Sequence, residues 1–252
     1  MAVCDPDEGM HSLFRGMLAE HDIVDLPRTD AAMAELDAFL ETRGPQLAGM
    51  LVEPLVQGAG GMLLHDPEVL RRLRTLADRH GLLLIFDEIF TGFGRTGTMF
   101  AFEQAGIKPD IITLSKALTG GTLPLAATVA SQRVFDGFWS DDPSHALMHG
   151  PTFMGNALAC AAANASLDLF ETEPRLAQAQ AISAALATGL APCRELDWVR
   201  DVRVLGAIGV VELDGIQDRE ALKRRLVEAG VWVRPFGLSL IHISEPTRLL
   251  SI

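Results

Sequence analysis

The 252-residue sequence predicts an α/β fold with a mostly parallel sheet and helices on both of its faces. Three observations support this prediction. Short, uninterrupted apolar runs such as 82–86 indicate strands that are buried on both sides. Amphipathic helical patterns such as 65–81 separate these runs, and polar or glycine residues mark the ends of the helices. Buried strands that alternate with helices are what a parallel sheet requires.

The first two thirds of the chain alternate between predicted helices and strands. Helices are predicted at 29–44 and 65–81, and strands at 47–55, 82–86, 110–114 and 124–130. In the second helix, Asp66 can cap the first turn, Pro67 fits that turn and Gly81 ends the helix. The predicted inner faces hold Met33, Leu36 and Leu40 in the first helix, and Val69, Leu70, Leu73, Leu76 and Ala77 in the second.

After residue 170 the pattern changes to that of a smaller α+β domain. An alanine-rich helix at 155–171 leads into it, followed by a helix at 173–192, two strands within 199–213, a helix at 218–230 and a strand at 231–237. We expect 1–170 to be the large domain and 171–237 to be part of a small C-terminal domain. Residues 238–252 depart from the pattern and resemble translated vector sequence, so we expect a non-native tail. An ordinary irregular terminus is the alternative.

Composition and charge exclude several classes of protein. The chain has 21 Lys and Arg against 33 Asp and Glu, a net charge of -12, which argues against a surface that follows nucleic-acid phosphates. The start lacks the basic and apolar segments of a signal peptide, and no charge-free stretch is apolar enough for a membrane span. The cysteines and histidines show no metal-ligand spacing. These features favour a cytoplasmic enzyme without a metal site.

Two neighbouring predicted strands end next to reactive side chains. Asp87 directly follows the strand at 82–86, and Lys116 follows the strand at 110–114 after one serine. The carboxyl ends of parallel strands meet at one edge of a sheet, where ligands collect. Glu53 also follows a predicted strand, but hydrogen bonding within its own turn is the better explanation for it.

An acid and a lysine at one sheet edge have two explanations. A salt bridge that closes the edge is the first. The second is a site for pyridoxal 5'-phosphate (PLP), which needs a lysine for a Schiff base and a carboxylate opposite the pyridine nitrogen. The glycine-rich stretches "TGFGRTG" and "ALTGG" follow the acid and the lysine, and glycine lets backbone approach a flat ligand closely. This favours the PLP site.

Several stretches resemble the class III, or ω-amino acid, PLP-dependent aminotransferases of fold type I. They are "LLLIFDEIFTGFGRTG" (82–97), "LSKALTGG" (114–121) and "HGPTFMGNALACAAANASL" (149–167), with the 29-residue step from Asp87 to Lys116. The resemblance extends over about 3–237. It implies an aminotransferase (transaminase), a transferase enzyme that uses PLP and works as a homodimer.

The resemblance also implies roles for individual residues. Cofactor binding is implied for Asp87, Lys116, Pro151 and Thr152, and substrate binding for Gly150, Arg234 and Arg95. Lys116 would be the catalytic residue, bonded to PLP and moving a proton, and Asp87 would bind the pyridine nitrogen. The segment with Thr152 would reach the cofactor phosphate of the other subunit.

The two arginines would serve the substrate. Arg234 would bind the carboxylate of an oxo-acid, for which a planar two-pronged donor is suited. Arg95 is the weaker candidate, because a loop arginine paired with Glu88 or Glu103 explains it equally well.

The substrate is indicated by finer features. "HGPTFMGN" and "RVLGAIGVVE" resemble class members of biotin biosynthesis, which convert 8-amino-7-oxononanoate to 7,8-diaminononanoate with S-adenosylmethionine as amino donor. Ala59 stands where many ω-aminotransferases have a glutamate, which disfavours ornithine or 4-aminobutyrate. The alternatives are another class III ω-amino acid or diamine transaminase, or a non-catalytic dimerising fragment. Family members are longer at the N-terminus, so this chain alone is expected to be a fragment with little activity.

Overall fold

The computed structural model describes residues 3, 16–17, 19, 21–216 and 218–232, and the backbone of Arg234–Phe236 and Ser239–Ile243. The chain divides into two compact units, Met1–Gln46 and Leu47–Ile252. In the first unit, helix α1 (Asp30–Arg43) begins at Thr29, whose Oγ1 accepts the N–H of Ala32 at 3.1 Å. The three residues predicted for its inner face are buried, which confirms that helix.

The second unit contains ten strands and five helices among the described residues. The strands are β1 (Gly49–Val52), β2 (Val56–Gln57), β3 (Leu63–Leu64), β4 (Leu83–Asp87), β5 (Ile111–Leu114), β6 (Ala127–Ala130), β7 (Val199–Leu205), β8 (Ile208–Leu213), β9 (Arg234–Phe236) and β10 (Ser239–Ile243). The helices are α2 (Pro67–Arg79), α3 (Gln132–Asp136), α4 (Ala157–Thr172), α5 (Arg175–Leu190) and α6 (Arg219–Glu228). These elements confirm the strands and helices that the sequence predicts between 47 and 237.

The first sheet has the order β1-β4-β5-β6. β1, β4 and β5 are parallel, and β6 lies antiparallel to β5 at the edge. The sheet is therefore mixed and mostly parallel, as the sequence predicts. Its central strand is the most buried, with Leu84 and Phe86 at 0% exposure, which explains why 82–86 is apolar without interruption. β2 and β3 form a separate two-stranded hairpin.

One aspartate ties several elements of the first sheet together. Asp110 accepts the N–H of Leu84 at 2.8 Å and pairs with Arg74 of α2 at 2.8 Å and with Arg133 of α3 at 2.7 Å. Burial alone would raise the pKa of Asp110, but these three donors outweigh it and lower that pKa. Asp110 therefore acts as a charged anchor between helices and sheet.

The second sheet is antiparallel and has the order β7-β8-β10-β9. Leu186 and Leu190 of α5 pack against β8 so closely that a Cβ on Gly209 would lie 2.9 Å from Leu190. Residues 239–243 of the expected tail pair with β8 and β9 through their backbone. α4 runs across the expected domain boundary at 170. Within the described part of the chain, no helix is long and apolar enough to cross a membrane.

Candidate active site

Asp87 and Lys116 lie at the same edge of the first sheet. Asp87 is the last residue of β4, and the parallel strand β5 ends two residues before Lys116. The register pairs Asp87 with Thr113, so both strands deliver their following residues to one edge. The structure therefore brings together the two residues that the sequence places at neighbouring strand ends.

A second carboxylate stands beside Asp87. Glu53 directly follows β1, whose parallel register with β4 places it next to Asp87. Both oxygens of Glu53 accept the N–H of Gly58 at 3.2 Å, which confirms the predicted hydrogen bonding within this turn. Burial raises the pKa of Glu53, the Gly58 N–H lowers it, Asp87 raises it and Lys116 lowers it. Glu53, Asp87 and Lys116 therefore form one electrostatic group.

The backbone of Lys116 is strained. Its φ is +43°, in the left-handed region that a residue with a Cβ rarely adopts and that costs on the order of 1–3 kcal/mol. The lysine starts a 3-10 turn, Lys116–Thr119, which the N–H of Leu118 closes by bonding Ser115 O at 2.9 Å. The side chain of Lys116 is exposed, with Nζ 5.3 Å from the centroid of the Phe90 ring. Strain of this kind is concentrated at functional positions.

Helix α4 packs against the turn Lys116–Thr119. Leu118 is buried with Leu114, Phe93 and Ala163 in one apolar cluster. Ser166 of α4 donates its hydroxyl to Ala117 O at 3.4 Å. The strained turn is therefore held by packing against α4, whereas the side chain of Lys116 remains exposed.

The glycine-rich loop after Asp87 is organised by a buried acid. Glu88 has 0% exposure and accepts the hydroxyl of Thr91 at 2.6 Å and the N–H groups of Ala101 and Phe102 at 3.1 and 3.0 Å. Burial raises the pKa of Glu88, although the three hydrogen bonds lower it. The carboxylate of Glu88 thus joins the beginning and the end of the loop 88–102 by hydrogen bonds.

The turn between β7 and β8 braces the same loop. The N–H of Ala207 donates to Arg95 O at 2.9 Å, and a Cβ on Gly206 would lie 2.4 Å from that oxygen. In β7, Arg203 pairs with Glu212 at 2.6 Å and also donates to Gly61 O at 3.2 Å. The second sheet therefore contacts the loop that follows Asp87 and the turn that follows Glu53.

The remaining predicted residues are placed as follows. Gly150, Pro151 and Thr152 lie in an exposed segment before α4. Arg95 is buried, with 6% exposure, in the loop that follows Asp87. Arg234 begins β9, but its side chain lies outside the described residues.

Two features of the site escaped the sequence analysis. The sequence predictions do not include Phe90, although it lies only three residues after Asp87. Glu53 was assigned to its turn alone, and its electrostatic link to Asp87 and Lys116 was missed. The signal for Glu53 was available, because it follows a buried strand as Asp87 does. Phe90 carried no comparable signal, because a loop aromatic is more often a packing residue.

Solved transaminases share this fold. An adenosylmethionine-8-amino-7-oxononanoate aminotransferase from Methanocaldococcus jannaschii superposes with a TM-score of 0.85 at 29% identity, over 94% of this chain and 58% of that one. A PLP-bound amine transaminase from an uncultivated Pseudomonas species gives 0.77 at 35% identity, over 89% and 56%. The fold is thus the α/β fold of the PLP-dependent transaminases, fold type I.

The chain belongs to the class III aminotransferase family, because the family described as "Aminotransferase class-III" matches residues 1–249. It is 43% identical over 251 residues to the adenosylmethionine-8-amino-7-oxononanoate aminotransferase of Corynebacterium glutamicum, covering 98% of this chain and 59% of that protein. It is 46% identical over 249 residues to the enzyme of the same name from Mycobacterium leprae, covering 98% and 57%. The chain therefore spans less than two thirds of the length of these relatives.

Proposed function

We propose that this protein is a PLP-dependent aminotransferase of the cytoplasm that converts 8-amino-7-oxononanoate to 7,8-diaminononanoate, with S-adenosylmethionine as amino donor. The observation that carries the chemistry is the placement of Asp87 and Lys116 at the ends of adjacent parallel strands. The substrates are supported by the names of the similar proteins from C. glutamicum and M. leprae.

The residues at the sheet edge fit the cofactor. Lys116 would hold PLP through a covalent bond to Nζ, and Asp87 would hold the pyridine nitrogen by its charge. When bound, PLP supplies an electron-withdrawing ring that weakens the Cα–H bond of the amino substrate. Nζ of Lys116 is exposed and carried on a flexible stem, so it can take up and return that proton.

Substrate binding is proposed for residues around this edge. Ala59 lies in the turn that the N–H of Met62 closes on Gly58 O at 3.1 Å, and Ala59 is exposed. An alanine there cannot form an ion pair with an arginine that binds a substrate carboxylate, and Arg234 and Arg95 are the proposed candidates for that role. Gly150 is proposed to line the substrate side of the segment before α4.

The protein is further proposed to act as a homodimer in which Pro151 and Thr152 bind the cofactor phosphate of the partner. A hydroxyl is an apt donor to phosphate oxygens. The proposal is supported by a run of exposed apolar side chains around this segment, since such a patch marks an interaction surface. They are Phe135, Phe138, Trp139, Leu147, Met148, Phe153, Met154 and Leu158.

Cofactor attachment tests the proposed chemistry without requiring turnover. The purified chain is incubated with PLP, reduced with borohydride and digested, and the pyridoxyl adduct is mapped by mass spectrometry over Lys108, Lys116 and Lys223. We expect the adduct on Lys116, and no adduct in Lys116→Ala. Selective labelling of either other lysine, or of none in the folded chain, contradicts the assignment.

A donor screen tests the substrate. The PLP-loaded chain is mixed separately with S-adenosylmethionine, ornithine and 4-aminobutyrate, and the absorbance of the bound cofactor is followed. Because this chain alone is expected to have little activity, we expect a slow change with S-adenosylmethionine and none with the other two. A response to ornithine or 4-aminobutyrate alone would support the alternative ω-amino acid transaminase.

A further inference from the structure

The aromatic ring of Phe90 faces the amino group of Lys116. Nζ lies 5.3 Å from the ring centroid, inside the range of about 6 Å in which an ammonium group is attracted to an aromatic face. Phe90 is half-buried and belongs to the loop that follows Asp87. The lysine and the ring therefore meet at the sheet edge, although they arrive on different loops.

The ring of Phe90 lies beside the turn at Gly58. A Cβ on Gly58 would lie 3.6 Å from Cδ1 and 3.9 Å from Cγ of Phe90, so a methyl group would fill the space between this turn and the ring. That backbone is fixed in turn, because both oxygens of Glu53 accept the Gly58 N–H. The ring thus lies near both a hydrogen-bonded turn and the amino group of the lysine.

The charges around the lysine reinforce this placement. Glu53 interacts electrostatically with Lys116, and its carboxylate holds the turn beside which the ring lies. Acid and aromatic face therefore attract the same ammonium group, the acid by charge and the ring by its quadrupole.

We propose that Phe90 is a positioning residue for Lys116, whose ring holds the Nζ ammonium group at the sheet edge whenever that nitrogen is not bonded to the cofactor. The proposal rests on the proposed function, because it takes Lys116 to be the lysine that binds PLP. Phe90 acts through Lys116 and is given no direct part in the reaction. The ring restricts Nζ to a small region at the sheet edge, from which it can bond the cofactor again.

The chain has only three lysines, which allows a direct test on the cofactor-free protein. In a sample labelled with [13C]lysine, three Hε/Cε signals are expected. The ring current of Phe90 displaces the Lys116 signal upfield relative to those of Lys108 and Lys223. The displacement is lost in Phe90→Leu and kept in Phe90→Tyr, which retains the ring. Phe102→Leu is the matched control, because it removes a half-buried ring of the same loop that stacks on Phe100 at 5.8 Å.

Reagent access gives a second readout. The amine of Lys116 is labelled with trinitrobenzenesulfonate, and the rate is normalised to Lys108 and Lys223 in the same sample. Loss of a partly exposed cation–π contact corresponds to an increase of about two- to fivefold in the labelling rate of Phe90→Leu. Phe90→Tyr and Phe102→Leu are expected to label at the wild-type rate.

The outcomes separate this inference from the proposed function. A wild-type Lys116 signal at the same position as the other two lysines overturns the inference, even if Phe90→Leu does not fold. An unchanged labelling rate of Lys116 in a folded Phe90→Leu variant also overturns the inference. A displaced signal in a chain whose Lys116 takes no PLP supports the contact and contradicts the proposed function. A PLP adduct on Lys116 without the displaced signal supports the proposed function and contradicts the contact between Phe90 and Lys116.

Discussion

Gly206 occupies a position that no other residue can fill without rearrangement. Its φ is +56°, and a Cβ would lie 2.4 Å from Arg95 O. We expect Gly206→Ala to lower the free energy of unfolding by about 2–4 kcal/mol, because strain and overpacking add. Gly121→Ala is the control: its φ is +77° with no atom within 4 Å, so only the strain of about 1–2 kcal/mol applies. Urea unfolding measures both, and equal losses would contradict the close contact.

The buried acid of the loop makes stability depend on pH. Burial raises the pKa of Glu88 above its ordinary 4.5. The folded state therefore holds the proton more tightly than the unfolded state, so this contribution to stability is present below pH 4.5 and is lost as pH rises through the folded-state pKa. We expect Glu88→Gln to lose less stability than the wild type from pH 4.5 to neutral pH. Parallel stability curves from urea unfolding would show that Glu88 does not titrate in this range.

The sequence was sufficient to place Asp87 and Lys116, because apolar runs locate strand ends and parallel strands end at one edge. It could not place Phe90 over Lys116. The direction of an aromatic side chain in a loop depends on the turn at Gly58, which is distant in sequence and held by Glu53. Contacts of this kind are set by packing and leave no periodic pattern.

The ion pairs of Asp110 are expected to stabilise the elements around the first sheet. Arg74 pairs with Asp110, whose side chain is 12% exposed, and with Asp78, which is 67% exposed. We expect Asp110→Asn to lower the free energy of unfolding by about 2–3 kcal/mol, because it weakens partly buried pairs with two arginines. Asp78→Asn breaks an exposed pair with the same Arg74 and is expected to cost less than about 1 kcal/mol. Thermal unfolding compares the two, and a larger loss in Asp78→Asn would contradict the anchor.

Helices and strands were predictable where local chemistry specifies them. α2 begins at Asp66, whose carboxylate accepts the N–H of Glu68 at 2.7 Å, and its apolar face is buried as the pattern indicates. The antiparallel direction of β6 was not predictable, because 124–130 carries the same β-branched composition as a parallel strand. Strand direction follows from the path of the connection. The path of the connection from β5 to β6 depends on the turn after Lys116 rather than on the residues of β6.

The exposed apolar patch from 135 to 158 is expected to be covered by a second copy of the chain. Met148 has 92% exposure, so Met148→Asp does not disturb the single chain but would place a charge in the proposed interface. We expect it to weaken self-association at least about tenfold, since burial of one methionine is worth about 1.5–3 kcal/mol. Val227→Asp, at 48% exposure in α6 of the same unit, is the control outside the patch. Sedimentation equilibrium measures both, and equal effects, or a wild-type chain that stays monomeric, would contradict the dimer.

The bond from Arg203 to Gly61 O joins residues 142 positions apart in the sequence. Closing a chain segment of that length costs entropy before any contact offsets it, so such contacts form late in folding. The parallel strands that carry Asp87 and Lys116 have nearer partners and can pair earlier. We therefore expect refolding chains to acquire the first sheet before Arg203 bonds Gly61 O.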